Sequence, residues 1–99
     1  MNTQIQAIHF KADSKLKEYV TKKLDKLDTF YDGIIDSQVF LKLENTAIKE
    51  NKTIEIKVNA KQTSFIQKET SRSFEAAADL AIEHLKTQVK RHKGKVVAV

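Results

Sequence analysis

Gln38-Val39-Phe40-Leu41-Lys42-Leu43-Glu44 and, after a polar interval, Ile54-Glu55-Ile56-Lys57-Val58-Asn59 alternate apolar with polar residues. Side chains of an extended chain point to opposite sides in turn, so each stretch reads as a strand buried on one face. The buried sets are Val39, Leu41 and Leu43 in the first and Ile54, Ile56 and Val58 in the second. Asn45 through Lys52 is polar and links them as a hairpin loop, while Lys61-Gln62 turns the chain into a third segment, Ser64 to Thr70. Near the start, Gln4-Ile5-Gln6-Ala7-Ile8 alternates in the same way, burying Ile5 and Ala7 and ending near Phe10.

On either side of this β-rich centre the period lengthens. Leu16, Tyr19, Val20, Leu24 and Leu27 fall at the three-and-four spacing of a helix, with Asp13 or Ser14 able to cap its first N–H groups and Asp32-Gly33 closing it. Phe74, Ala78, Ala81, Ile82, Leu85 and Val89 repeat the pattern, with Ser73 as cap, Glu75 near the positive end and Gly94 after the last turn. Glycine readily takes the left-handed backbone that ends helices, so the chain's two glycines are expected to mark two helix ends. The order is β-α-β-β-β-α. One-sided amphipathicity throughout implies an α+β two-layer sandwich, a four-stranded sheet with both helices on one face. Residues 1–95 read as a single domain, and Val96-Val97-Ala98-Val99 as a short apolar tail, either a frayed end or a weak contact strip.

Composition narrows the function classes. Ninety-nine residues at 40% hydrophobic and 31% charged suit one core. The absence of cysteine excludes a disulfide frame and a thiol nucleophile, and fits a cytoplasmic home. No apolar run approaches the roughly 18 residues that cross a bilayer, and Met1-Asn2-Thr3-Gln4 lacks the start of a signal peptide, so no membrane is expected as partner. His9, His84 and His92 are little material for a metal cage, and His9 and His84 lack acidic or histidine neighbours at ligand spacing, so no metal or other cofactor is expected. With no Gly-rich phosphate loop, no nucleophile beside a base and no carboxylate pair in apolar surroundings, neither an enzyme nor a small-molecule substrate is expected.

Charge is the positive signal. Lys86, Lys90, Arg91, Lys93 and Lys95 follow one another with no carboxylate to the end of the chain, and they equal its whole net charge of +5. Helical projection puts Lys86, Lys90 and Lys93 in one line beside the apolar stripe and Arg91 on the other flank. In the first helix Lys15, Lys22, Lys26 and, nearer the core, Lys23 share a shoulder, so adjacent helices would form a basic groove suited to phosphate. Solvated helices often carry lysine, and the first helix's acids nearly balance its bases. Five like charges in ten residues nevertheless repel, and the helix-end dipole offsets only about 0.3–1 kcal/mol per charge, a cost that an external anion removes. His92, at the phase of the stripe, stacks on a base, donates to a phosphate or closes the bottom of the core. Phe40 is the one ring that alternation turns outward; it either stacks on a base or packs on a strand or partner. One ring is a thin platform, so the composition suits a shape-and-phosphate reader of folded RNA.

Phe74-Glu75-Ala76-Ala77-Ala78-Asp79, then Leu85, Gln88 and Arg91-His92-Lys93-Gly94-Lys95, resembles the signature of the ribosome hibernation-promoting factors and ribosome-associated inhibitor proteins, also labelled sigma-54 modulation proteins. The likeness extends upstream through Leu16, Val20, Lys23, Lys26, Leu27 and Phe30-Tyr31-Asp32 to Val39-Phe40-Leu41-Lys42-Leu43-Glu44. The resemblance implies a domain similar to double-stranded-RNA-binding modules that sits on the small ribosomal subunit and its rRNA. There it would block the messenger and transfer RNA channel and hold ribosomes inactive in stationary phase or stress, the protein being a monomer when off the ribosome. By position, Lys23, Lys26, Arg91, His92, Lys93 and Lys95 match the family's rRNA-facing positions; Lys22, Lys86 and Lys90 join them from the helical projection. A tyrosine common near the start of the last helix is Glu75 here, beside Phe74, and the further domain by which long members pair ribosomes is not expected in so short a form. Reversing Lys90, Arg91 and Lys93 to Glu is expected to free the protein from ribosomes without unfolding it. The alternatives are a protein-interaction regulator of transcription, touching its partner through Phe40 and the valine tail, and a general double-stranded RNA binder.

Overall fold

The computed structural model describes residues 2–44 and 51–97, with side chains through Lys93; positions 45–50 of the expected hairpin loop lie outside the described residues, as do Ala98 and Val99. The elements are β1 (Asn2–Ile8), α1 (Ser14–Phe30), β2 (Ile34–Leu43), β3 (Lys52–Ala60), β4 (Ser64–Ser71) and α2 (Phe74–Val97), the expected order. They form a sheet ordered β1-β2-β3-β4. Because α1 carries the chain back across the sheet, β1 runs parallel to β2, whereas β2, β3 and β4 are joined directly and pair antiparallel.

Register turns the alternation into a single buried face. Ile5, Val39 and Ile56 share one row and Ala7, Leu41 and Ile54 the next. Leu16, Val20, Leu24 and Leu27 of α1 close over that face with Phe74, Ala77, Ala78, Ala81, Ile82, Leu85 and Val89 of α2. Both helices thus cover one side of the sheet. Asp13, rather than Ser14, caps α1 by accepting the Leu16 N–H at 2.8 Å, and Ser73 Oγ accepts the Ala76 N–H of α2 at 3.1 Å.

Four details depart from the sequence reading. β1 ends at Ile8 rather than near Phe10, because His9 takes a left-handed φ of 70° that breaks the extended run. Phe10 then stacks on Phe74 with centroids 4.9 Å apart. Leu43 is 37% exposed instead of buried; it is the last residue of β2, opposite Lys52, outside the cluster the helices seal.

Neither glycine ends a helix in the expected way. α1 stops at Phe30 with Tyr31 in extended conformation, and Gly33 has no positive φ. Close approach explains Gly33: a Cβ there would stand 2.6 Å from Cζ and Oη of Tyr31, whose ring meets Phe65 and His92 edge-on at 6.5 and 5.8 Å. Gly94 lies within α2, which continues to Val97, so Val96 and Val97 extend the helix instead of forming a tail. A helical glycine costs about 1 kcal/mol relative to alanine, too little to stop a helix whose neighbours continue it.

Candidate nucleic-acid interface

The buried stripes of α1 and α2 bring one edge of each helix together. Lys23 and Lys26 lie beside the Val20-Leu24-Leu27 stripe, and Asp79, Glu83, Lys86, Lys90 and Lys93 follow one edge of α2 at three- and four-residue spacing. Between the helices runs a groove of ≈ 310 Å³ lined by Lys23, Lys26, Asp79, Ile82, Glu83 and Lys86. One end of it is mixed in charge and the other is basic.

At the mixed end Asp79 ties the helices together. Its Oδ1 accepts the Tyr19 hydroxyl at 2.7 Å and lies 3.3 Å from Lys23 Nζ, which stands 5.5 Å from the Tyr19 ring centroid. Exposed ion pairs of this kind contribute only about 0–1 kcal/mol, so Lys23 remains able to exchange Asp79 for an incoming phosphate. The hydrogen bond to Asp79 raises the Tyr19 pKa above its ordinary 10.0, with desolvation and the charges of Asp79 and Glu75 acting in the same direction. A raised folded-state value means that this stabilisation is fully present below the ordinary tyrosine range and is lost as pH climbs through the folded value. Of the chain's two tyrosines, Tyr19 is therefore expected to ionise above 10 in an ultraviolet phenolate titration, and Asp79→Asn to bring it down. An unmoved titration in that variant would remove Asp79 as the cause.

At the basic end Lys93 has a structural task. Its Nζ donates to the Phe30 carbonyl at 3.1 Å and sits 4.9 Å from the Phe30 ring centroid, with Lys90 Nζ at 6.0 Å. Phe30 is the last residue of α1, where carbonyls lack helical partners and the dipole is negative, so α2 caps α1 through this lysine. That overturns the expectation that Lys93 can be reversed without harm to the fold: a glutamate there would face the carbonyl it should satisfy.

The nine candidate residues therefore divide. Lys23, Lys26 and Lys86 line the groove, and Lys90 and Lys93 continue it toward Phe30. Lys22 is exposed on the outer side of α1, and Arg91 is exposed on the opposite flank of α2, the side that meets β4 where Gln88 Nε2 donates to the Ile66 carbonyl at 3.1 Å. His92 packs edge-on against Tyr31 and Phe65 at 5.8 and 5.6 Å, closing the bottom of the core. The Lys95 side chain lies outside the described residues. The sequence reading missed Asp79 and Glu83 as groove residues, Tyr19 as the partner of Asp79 and Phe30 as the partner of Lys93. Helical spacing from Lys86 back to Glu83 and Asp79 would have found two of them.

Residues 3–97 match the family described as sigma 54 modulation protein / S30EA ribosomal protein. A ribosome hibernation promotion factor of Bacillus subtilis (strain 168) is 28% identical over 96 residues, covering 97% of this chain and 50% of that protein. The chain thus spans about half the length of the Bacillus protein. A ribosome hibernation promoting factor of Pseudomonas putida is 27% identical over 95 residues, 96% of this chain and 89% of that one. Among solved structures, the Protein Y N-terminal domain of Thermus thermophilus superposes with a TM-score of 0.79 at 31% identity, over 93% of this chain and 99% of that one. A ribosomal subunit interface protein from Coxiella burnetii, 20% identical with a TM-score of 0.83 over 95% of this chain and 99% of that one, shares the fold. The match takes in every element from β1 to α2, and the chain belongs to the sigma 54 modulation protein / S30EA ribosomal protein family.

Proposed function

We propose that this chain is a ribosome hibernation factor that works in the cytoplasm as a monomer until it meets the small ribosomal subunit. It sets the α1–α2 groove against rRNA in the messenger and transfer RNA channel, and inhibits translation by occupancy rather than catalysis. The observation that carries this reading is the convergence of Lys23, Lys26, Lys86 and Lys90, from helices distant in sequence, on one groove. The names of the relatives in Bacillus and Pseudomonas support the ribosome as the polyanion that such a groove serves. Rigid helices seated on a sheet hold the cations at fixed spacing, which favours a folded RNA surface over a flexible one.

Sedimentation with purified small subunits across a salt series tests the proposal. If about five phosphates are neutralised, a slope near −0.9 per contact predicts a loss of roughly two to three decades of affinity over a fourfold rise in salt. Binding that ignores salt, or a partner in lysate that survives nuclease treatment, would overturn the RNA contact in favour of a protein one.

A further inference from the structure

One carboxylate of the interhelical groove has no partner. At the mixed end Asp79 is taken up by Tyr19 and Lys23, and the charge of Glu75 reaches the same tyrosine. Glu83 lies one turn further along α2, in the wall of the groove between Asp79 and Lys86, with Lys26 of α1 in the same lining. It is exposed, and among the described residues its side chain makes no hydrogen bond or ion pair. Its backbone carbonyl accepts the Thr87 hydroxyl at 3.3 Å, which leaves the carboxylate itself free. Lys26 and Lys86 are likewise exposed and without an ionic partner, so three charges share a groove of ≈ 310 Å³ and do not pair. Lys86 and Lys90 follow Glu83 at roughly 4.5 and 10.5 Å along the helix axis.

We propose that Glu83 is a specificity-determining residue of this groove, keeping phosphate away from its middle and accepting there a hydrogen bond from a ribose 2′-hydroxyl or a guanine amino group. Glu83 acts in this way only if the groove is an RNA seat, as proposed above, and the part of the RNA that enters it is then the minor-groove edge. A groove built only to gather phosphate gains nothing from an unpaired carboxylate, since any phosphate laid beside it is repelled. A carboxylate accepts and does not donate. The donors that folded RNA offers between its two backbones are the 2′-hydroxyls and guanine amino groups of its wide, shallow minor groove. With Glu83 over that edge, Lys86 and Lys90, further along the same side of α2, are placed to meet a flanking backbone. Ile82, 4% exposed, lines the groove beside Glu83 and adds no competing donor.

Affinities of the intact chain for purified small subunits and for long-chain inorganic polyphosphate, which carries charge but neither ribose nor base, test the assignment. Glu83→Gln removes one charge from an exposed, unpartnered side chain with little change in helix propensity, so the variant is expected to fold. Asp25→Asn, exposed on α1 and off the groove lining, is the control with the same change in net charge. Glu83→Gln is expected to tighten polyphosphate binding roughly three- to tenfold while binding to small subunits does not tighten. Asp25→Asn is expected to move both affinities slightly and in step. If Glu83→Gln tightens both in step, or matches Asp25→Asn in both, Glu83 does not discriminate and the proposal is overturned. Reversing Lys26, Lys86 and Lys90 to Glu tells the two levels apart. Loss of subunit binding there, with Glu83→Gln behaving as Asp25→Asn, leaves the groove as the seat and removes Glu83 as its filter; subunit binding kept there removes both.

Discussion

Replacing Lys26, Lys86 and Lys90 together by glutamate is expected to weaken binding to small ribosomal subunits by about two decades or more while leaving the protein folded. All three side chains are exposed on or beside the interhelical groove, and none belongs to the buried cluster. Their reversal turns a net charge of +5 slightly negative, so attraction to phosphate is lost at long range as well as at contact. Lys93 is deliberately left in place. Its bond to the Phe30 carbonyl secures the end of α1, and reversing it would mix loss of binding with loss of fold. Circular dichroism and a melting curve close to those of the unaltered protein establish the folded state; co-sedimentation with subunits then decides. If the folded variant still travels with subunits at unchanged affinity, the groove is not the anchor.

Leu24→Ala is expected to cost about 2–5 kcal/mol of stability. Leu24 is fully buried midway along the Leu16-Val20-Leu24-Leu27 stripe that seats α1 on the sheet, and no neighbour can refill the space without shifting a helix. Domains of this size are stable by about 5–15 kcal/mol, so the loss is a large share of the total. At roughly 4–8 °C per kcal/mol the midpoint is expected to fall by about 8–40 °C. Thermal and urea unfolding measure the change directly. Below the new midpoint, ribosome binding is expected to stay near normal, because the groove cations are untouched. A shift of only a degree or two would mean that α1 is held mainly by its links to α2, Tyr19 to Asp79 and Lys93 to Phe30, rather than by its apolar stripe.

Most of the architecture was legible because its signals are local. Alternation at Val39–Leu43 and Ile54–Val58, the Asp13 and Ser73 caps, and the stripes through Leu24 and Leu85 each depend on residues within a turn or two of one another. The glycines misled because their chemistry admits two uses. Gly33 answers the Tyr31 ring folded back over it, and Gly94 is simply carried along by a helix that continues. The candidate site was half legible. Which side of each helix is basic follows from spacing, but which cations are already engaged does not.

What the chain determined by itself is the set of elements, their amphipathic faces and the surplus of positive charge at its end, since hydrophobic period and charge count are properties of order along the sequence. Tertiary structure alone decided that Lys93 caps a helix, that Asp79 and Tyr19, sixty residues apart, share a hydrogen bond across the groove, and that His92 closes the core between Tyr31 and Phe65. Those assignments depend on distances across packed helices, and such distances exist only once burial of the two stripes has set one helix beside the other.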